Sequence, residues 1–194
     1  VIYDKINKKG FIMKRILLAS LLSITLVSSL YAYELNGELG VKWIGFKTEK
    51  KLPVSGTFNS IKLDTKSSEN LSDFLKSSNV VIQTNSIESK DTVRNNNMTS
   101  TLFALASAEV IEGNISDVNE DEKTLILNVT MNEVTNPVRM DYTIENGKIV
   151  ASGGIDILDF SMQKSYLAFA KKCADLHENK SFSEVDIEFT IPYK

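Results

Sequence analysis

Apolar and polar residues alternate with period two through most of this chain, and nothing else in it limits the possible folds as strongly. In an extended strand every second side chain points to the same side, so such a run makes one face apolar and the other wet. From Tyr33 onward, Leu35, Leu39, Val41 and Trp43 share a face, with Glu34, Asn36, Glu38 and Lys42 between them. The phase changes at Ile44 and Phe46, which predicts a bulge near Gly45. Val54, Gly56 and Phe58 alternate next, entered through Pro53. Leu125, Leu127, Val129 and Met131 form another face, and Val138, Met140, Tyr142 and Ile144 a further one. Val185, Ile187, Phe189 and Ile191 close the chain, against Asp186, Glu188 and Thr190.

The punctuation suits antiparallel strands. Val134-Thr135-Asn136-Pro137 reads as a turn closed by proline. Asn146-Gly147 is a strong hairpin signal, since both central residues must tolerate positive φ. Asp117 to Glu122 resembles the start of a calcium loop. Glu122 stands where the glycine belongs and Asn128 where the bidentate glutamate belongs, so a polar hairpin between Val118 and Leu125 is expected instead. Gly153-Gly154 lies inside a strand pattern and marks a bulge or bend. Short helices interrupt the strands. One is capped by Ser67 or Ser68 and turns Leu71, Phe74 and Leu75 to one side. A second, within Asp91 to Ala106, places Val93, Met98, Leu102 and Leu105 at loosely helical spacing. A third segment, Gln163 to Asn179, is a helix or long ordered loop with an apolar stretch from Tyr166 to Ala170. The pattern is all-β, a barrel or a sandwich. Large residues on the apolar faces, Trp43, Phe58, Met140, Tyr142 and Phe189, can fill a core or line a pocket.

The N-terminal part is read separately. Met13-Lys14-Arg15, the apolar run Ile16 to Leu30 and the small residue Ala32 make a secretory signal over 13–32, with cleavage expected after Ala32. Residues 1–12 read as an overlong start, which leaves 33–194 as one domain. The apolar run is shorter than the roughly 20 residues of a comfortable bilayer span. Over 33–194 there are 17 basic and 24 acidic residues, a net charge of −7 against −3 for the whole chain. That balance argues against nucleic acid and against anionic membrane surfaces as partners.

Catalytic constellations are sparse. His177 is the one histidine and Cys173 the one cysteine. A zinc site needs more ligands than that, and neither a metal nor a cofactor is expected. In its charged stretch, His177 reads as a solvated residue, and the sequence places no base beside a nucleophile. An enzyme is therefore not expected.

Several short motifs, in order, resemble the YceI-like proteins. Trp43, Phe46-Lys47 and Val54-Ser55-Gly56-Thr57-Phe58 are similar to that family's opening. Val81-Ile82-Gln83-Thr84-Asn85-Ser86-Ile87 followed by Arg94, then Val134-Thr135-Asn136-Pro137-Val138, then Asp159-Phe160-Ser161-Met162 resemble its later elements. Ser183-Glu184-Val185-Asp186-Ile187 fits its terminal strand. The resemblance implies an eight-stranded antiparallel lipocalin-like barrel with short capping helices. It also implies residence in the periplasm and an apolar channel for a polyisoprenoid or fatty-chain lipid. Departures fall at Asn95, at Asn97-Met98 and at Ile157-Leu158, and they bear on head-group contacts rather than on the barrel.

The expected function is thus a carrier for an isoprenoid or other long-chain amphiphile. The alternative is a non-catalytic structural or stress-related partner with a filled barrel. No stable membrane insertion is expected, and a homodimer is the further assembly considered. Trp43, Phe58, Phe103, Met140, Tyr142, Phe160 and Met162 are expected to line the pocket, with Arg94 at its mouth or anchoring the cap. Glu112-Gly113-Asn114-Ile115-Ser116 resembles the acceptor of periplasmic oligosaccharyltransferases, with an acid two residues before the asparagine. Asn114 is therefore expected to carry a glycan in a host with that machinery, on a flexible loop away from the pocket.

Overall fold

A computed structural model describes residues 33–194. The overlong start and the signal segment expected over 1–12 and 13–32 lie outside the described residues. The strands are β1 (Gly40–Lys47), β2 (Leu52–Phe58), β3 (Ile61–Asp64), β4 (Asn79–Gln83), β5 (Ile87–Glu88), β6 (Val110–Asn119), β7 (Thr124–Met131), β8 (Val134–Glu145), β9 (Lys148–Asp156) and β10 (Ser181–Pro192). Three helices accompany them: α1 (Leu71–Lys76), α2 (Thr92–Asn97), which runs on as a π-helical turn over Met98–Phe103, and α3 (Gln163–Lys172).

The ten strands form one curled antiparallel sheet in the order β3-β4-β6-β7-β8-β9-β10-β1-β2-β5. The expected number was eight. The difference comes from two interruptions. β2 and β3 are one chain run bent at Asn59-Ser60, and β4 and β5 are one run broken by a 3-10 turn at Thr84–Ser86. The two runs pair with each other, Asp64 opposite Asn79 at one end and Thr57 opposite Glu88 at the other. Ser86 ties the bend, its carbonyl accepting from the Asn59 N–H at 2.9 Å and its hydroxyl from the Ser60 N–H at 2.9 Å. Counted as chain runs there are eight strands, and they form a circuit.

Local chemistry accounts for the turns. The predicted irregularity near Gly45 is present, as a register shift between Gly45 and Lys47 against β10. Asn146 and Gly147 both hold positive φ in the β8–β9 hairpin, as their sequence requires. The Asp117–Glu122 region is a hairpin, with Asn119 Oδ1 accepting from the N–H groups of Asp121 and Glu122. The turn expected over Val134–Pro137 sits earlier, at Asn132-Glu133, where both residues have positive φ. Pro137 lies inside β8 opposite Asn128 of β7. β9 pairs with β8 only over Asp141–Glu145, so the missing N–H at Pro137 faces no ladder on that side. At Gly153-Gly154 the register with β10 runs on unbroken, and it is the β8 pairing that stops, at Ser152.

The helices occupy the two ends. At one end α1 buries Leu71, Phe74 and Leu75 as predicted. Its cap is Asn70 rather than Ser67 or Ser68, with Asn70 Oδ1 accepting from the Asp73 N–H at 3.0 Å. Tyr33 stacks near Phe74 and Tyr193, with ring centroids 6.1 and 5.2 Å apart, and completes an aromatic plug. At the other end α2, its π-helical extension and α3 pack together as a cap. Leu102 faces the core there, but Val93 and Leu105 are exposed. The change from α to π winding advances the chain past the spacing that would have aligned all four apolar residues. In the Tyr166–Ala170 stretch Leu167 is likewise exposed.

Gly56 is fixed by its neighbours. A Cβ there would lie 2.5 Å from the Trp43 ring and against the Glu88 carbonyl. Gly56→Ala should therefore cost about 1–3 kcal/mol, the usual range for overpacking. Urea unfolding followed by tryptophan fluorescence measures it, and an unchanged midpoint would refute the packing assignment.

Candidate functional site

The apolar faces of the strands surround a cavity of about 200 Å³ rather than a filled core. Val41, Val54, Val80, Ile111, Leu127, Ile155, Val185, Ile187 and Phe189 all line it. All of these are only half-buried, although they lie on the inward-facing positions of their strands. Lys42, Glu112 and Asn114 border the same wall but are exposed on its outside.

Six of the eight predicted site residues meet at this cavity: Trp43, Phe58, Arg94, Phe103, Met140 and Met162. Trp43 Nε1 donates to the Thr57 carbonyl at 3.4 Å, which fixes the indole across Gly56. The other two do not line it. Tyr142 is buried one inward position beyond Met140, and its hydroxyl has no hydrogen-bond partner. Burial, with the nearby Glu120 charge, pushes the Tyr142 phenol above its ordinary pKa. Phe160 is buried beside the cap, where its carbonyl accepts from Asn132 Nδ2 at 2.9 Å. Both belong to the packed ends that close off the cavity. Period two predicted their inward direction but not where along the barrel the packing becomes dense.

At the capped end two ionisable side chains, Arg94 and His177, join an otherwise apolar wall. Asp91 caps α2, its Oδ1 accepting from the Arg94 N–H at 3.0 Å. That hydrogen bond, helped by the Arg94 charge, holds the Asp91 carboxyl below its usual range. The Arg94 side chain donates to the Ser89 carbonyl at 3.3 Å and lies 3.4 Å from Asp91 Oδ2. The guanidinium is thus anchored to the start of the cap and still reaches the cavity wall.

His177 was missed. It is buried, not solvated, and lines the cavity near Arg94. Its ring meets Phe169 edge-on, with centroids 5.8 Å apart, and Nδ1 is 2.7 Å from Ser181 Oγ. A base does therefore stand beside a hydroxyl, contrary to the sequence reading. Ser181 is not among the cavity-lining residues, and the contact orients the imidazole. Cys173 is buried behind it, with Asn97 Nδ2 3.5 Å from its sulfur. Burial pushes that thiol above its ordinary pKa. Phe169, Phe182 and Met98 are further lining residues that the sequence did not point to, because the helical segments of Phe169 and Met98 carry no clean period and Phe182 precedes the alternating part of β10. Among the described residues no group of three or more His, Cys, Asp or Glu could hold a metal ion.

A second, open groove of about 430 Å³ lies where β1 and β3 do not pair. Leu39, Phe58 and Leu63 belong to both groove and cavity. Asn114 departs from its predicted setting. It lies in the middle of β6, opposite Asn79 on one side and Asn128 on the other, on the outside of the cavity wall. With both ladders formed, its backbone cannot adopt the free loop an acceptor needs, so any transfer there has to precede closure of the sheet.

Comparison with known proteins places this architecture. The model of the YceI-like domain matches residues 34–192. No curated protein matches the chain. Among solved structures, a polyisoprenoid binding domain from Saccharophagus degradans, implicated in plant cell wall breakdown, superposes with a TM-score of 0.56 at 15% identity, covering 85% of this chain and 98% of that one. Burkholderia cenocepacia BcnA gives a TM-score of 0.56 at 13% identity, covering 81% of this chain and 98% of that one. At such identities the structures speak for the fold, an all-β barrel of lipocalin-like form. The family match spans nearly all of the described residues, and this chain belongs to the YceI-like family.

Proposed function

We propose that this protein is a periplasmic carrier that holds a polyisoprenoid or other long-chain amphiphile by its apolar chain inside the barrel. The observation that carries this reading is the cavity itself, with half-buried apolar side chains from seven strands turned toward it. Each methylene moved from water into such a site contributes about 0.8 kcal/mol. A chain a few isoprene units long is then held without any polar contact. The name of the Saccharophagus degradans domain points to the same ligand class. The signal-like segment over 13–32 supports the periplasm. The cavity favours a carrier over the filled barrel of the alternative reading, and a binding role over catalysis.

The polar end supplies the orientation. Arg94 and His177 line the cavity beneath the cap, where an anionic or strongly polar head would lie. Burial holds His177 below its ordinary pKa, and the Lys47 and Arg94 charges act in the same direction. A neutral imidazole donates or accepts a hydrogen bond beside the guanidinium without adding to the positive charge.

Organic extraction and mass spectrometry of protein isolated from its host should release a long-chain amphiphile. Folded protein that yields no apolar chain would overturn the carrier reading. Met140→Glu should reduce retention at least about tenfold, since a lone carboxylate in an apolar site costs several kcal/mol. Tyr142→Phe, outside the cavity, should retain the ligand, with far-UV circular dichroism confirming that both variants stay β-rich. Arg94→Ala should weaken an anionic amphiphile about tenfold or more, the scale of a charge-assisted hydrogen bond, and leave a neutral hydrocarbon unaffected. Equal effects on both probes would assign Arg94 to the cap alone. For His177, a folded pKa below the unfolded value means that protonation favours the unfolded chain. Stability should therefore hold above about pH 6.5, the unfolded histidine value, and decline as pH falls below it. In thermal melts from pH 7.5 to 5.5, His177→Gln should lose less Tm than the native chain, and parallel losses would remove His177 from the acid response.

A further inference from the structure

The most exposed large apolar residues are gathered at one end of the barrel. Among the described residues they are Leu52 at 46%, Val93 at 58%, Leu105 at 59%, Leu167 at 64% and Leu176 at 56% exposure. Single exposed leucines are ordinary on any protein surface. Here, however, Val93 lies in α2, Leu105 just after the π-helical turn, Leu167 in α3 and Leu176 in the 3-10 turn that follows, while Leu52 opens β2 at the same end. Apart from Leu52, at the capped end of β2, the strands carry none of the five, and the plugged end carries none.

Positive charge is concentrated on one helix of that end. On α3, Lys164, Leu167 and Lys171 are three and four residues apart, share one helix face and are all exposed. Lys172 is exposed beside them, and α3 contains no acidic residue. The excess of positive charge is confined to α3, since the exposed acids Glu49, Glu133 and Asp159 and the helix-capping Asp91 stand in the turns around it at the same end. The chain-wide count argued against an anionic surface as a partner, and the exposed face of α3 is the local exception. The groove between β1 and β3 has the opposite character, with Glu38 on its lining and no basic residue.

We infer that the capped end docks peripherally on an anionic lipid bilayer, with the Lys164-Leu167-Lys171 face of α3, Leu176 and the neighbouring exposed apolar residues set in the headgroup layer. A basic helix face carrying large apolar side chains has the composition of an interfacial element. Each lysine near such a surface contributes about fivefold to partitioning at low salt. Docking in this orientation brings the Arg94 end of the cavity to the depth where amphiphile head groups lie. A second copy fits less well, because cap-to-cap contact would oppose the same lysines. No helix among the described residues is long and apolar enough to cross a membrane, and peripheral docking requires none.

The inference extends the carrier reading without depending on what fills the cavity. Protein isolated from its host is floated with phosphatidylglycerol–phosphatidylcholine vesicles and with phosphatidylcholine alone. Binding should require the anionic lipid and weaken in high salt. Lys171→Glu combined with Lys172→Glu, and separately Leu167→Glu combined with Leu176→Glu, should each cut partitioning at least about tenfold. Lys66→Glu combined with Lys148→Glu, the same charge change at the plugged end, should leave it within about twofold, since long-range attraction is screened. Ligand retention, measured separately by extraction, should be unchanged in the Lys171→Glu pair, so failure of docking and failure of the carrier reading are distinguishable. Cap variants that bind like the native chain, control variants that lose as much, or indifference to anionic lipid would each overturn the proposal. So would a dimer in sedimentation that the Leu167→Glu pair dissolves while vesicles go unbound.

Discussion

One chain run serves two neighbours, and the interior exists because of it. Residues 52–58 pair with β1, and after the bend at Asn59-Ser60 residues 61–64 pair with β4. An open antiparallel sheet of this size would expose two unpaired edges and could collapse its apolar face onto itself or onto another chain. Bending one strand between two partners joins those edges and holds opposite walls apart. The join is tight at one level, where Trp43 crosses Gly56, and loose at another, where β1 and β3 leave a groove. Tyr33 and Ser68 bridge the chain beyond that groove through mutual N–H to carbonyl contacts at 2.6 and 3.0 Å. The opening is therefore bounded by hydrogen bonds and does not run the length of the wall.

With the walls fixed, the ends decide what the interior can hold. At the plugged end α1, Tyr33 and Tyr193 provide bulky apolar packing, and Tyr142 lies buried in that direction with an unpaired hydroxyl. At the capped end, the wall includes Arg94 and His177. The two ends differ in kind, so a long amphiphile has one favoured direction. Its chain gains by burial along the strands, and the ionisable side chains on the cavity wall, Arg94 and His177, stand near α2 and the turn after α3.

The strands were legible in the sequence because a half-buried strand writes its two faces directly into its residues. β7, β8 and β10 were recognised from alternation alone, and Asn146-Gly147 located a turn by its backbone requirement. What period two does not encode is depth. Met140 and Tyr142 are equivalent in pattern, yet one borders empty space and the other a packed end. Pro137 suggested a turn but sits in β8, because whether a missing N–H matters depends on which neighbour pairs there, and that is a tertiary fact. His177 looked solvated in its charged surroundings, since the cavity behind it is built by Phe169 and Phe182 from other elements. The cap was least legible. Its helices are short, one changes winding from α to π, and their apolar residues face both ways.

That two-way facing has a physical meaning. A cap that only sealed the barrel would keep its large apolar residues inside and its polar ones out. Here Leu102 and Phe103 seal the cavity from within, while Leu105, Leu167 and Leu176 remain in water, Leu167 on the α3 face that carries Lys164 and Lys171. Leaving such residues exposed forgoes burial of about 1.5–3 kcal/mol each, relative to a packed position. A net charge of −7 over the domain keeps it apart from other copies and, at a distance, from anionic surfaces. Close to a surface, within roughly 10 Å at moderate salt, only the nearest charges count. At that range the exposed face of α3 is basic and apolar, so the orientation that turns this face toward a bilayer is the attractive one.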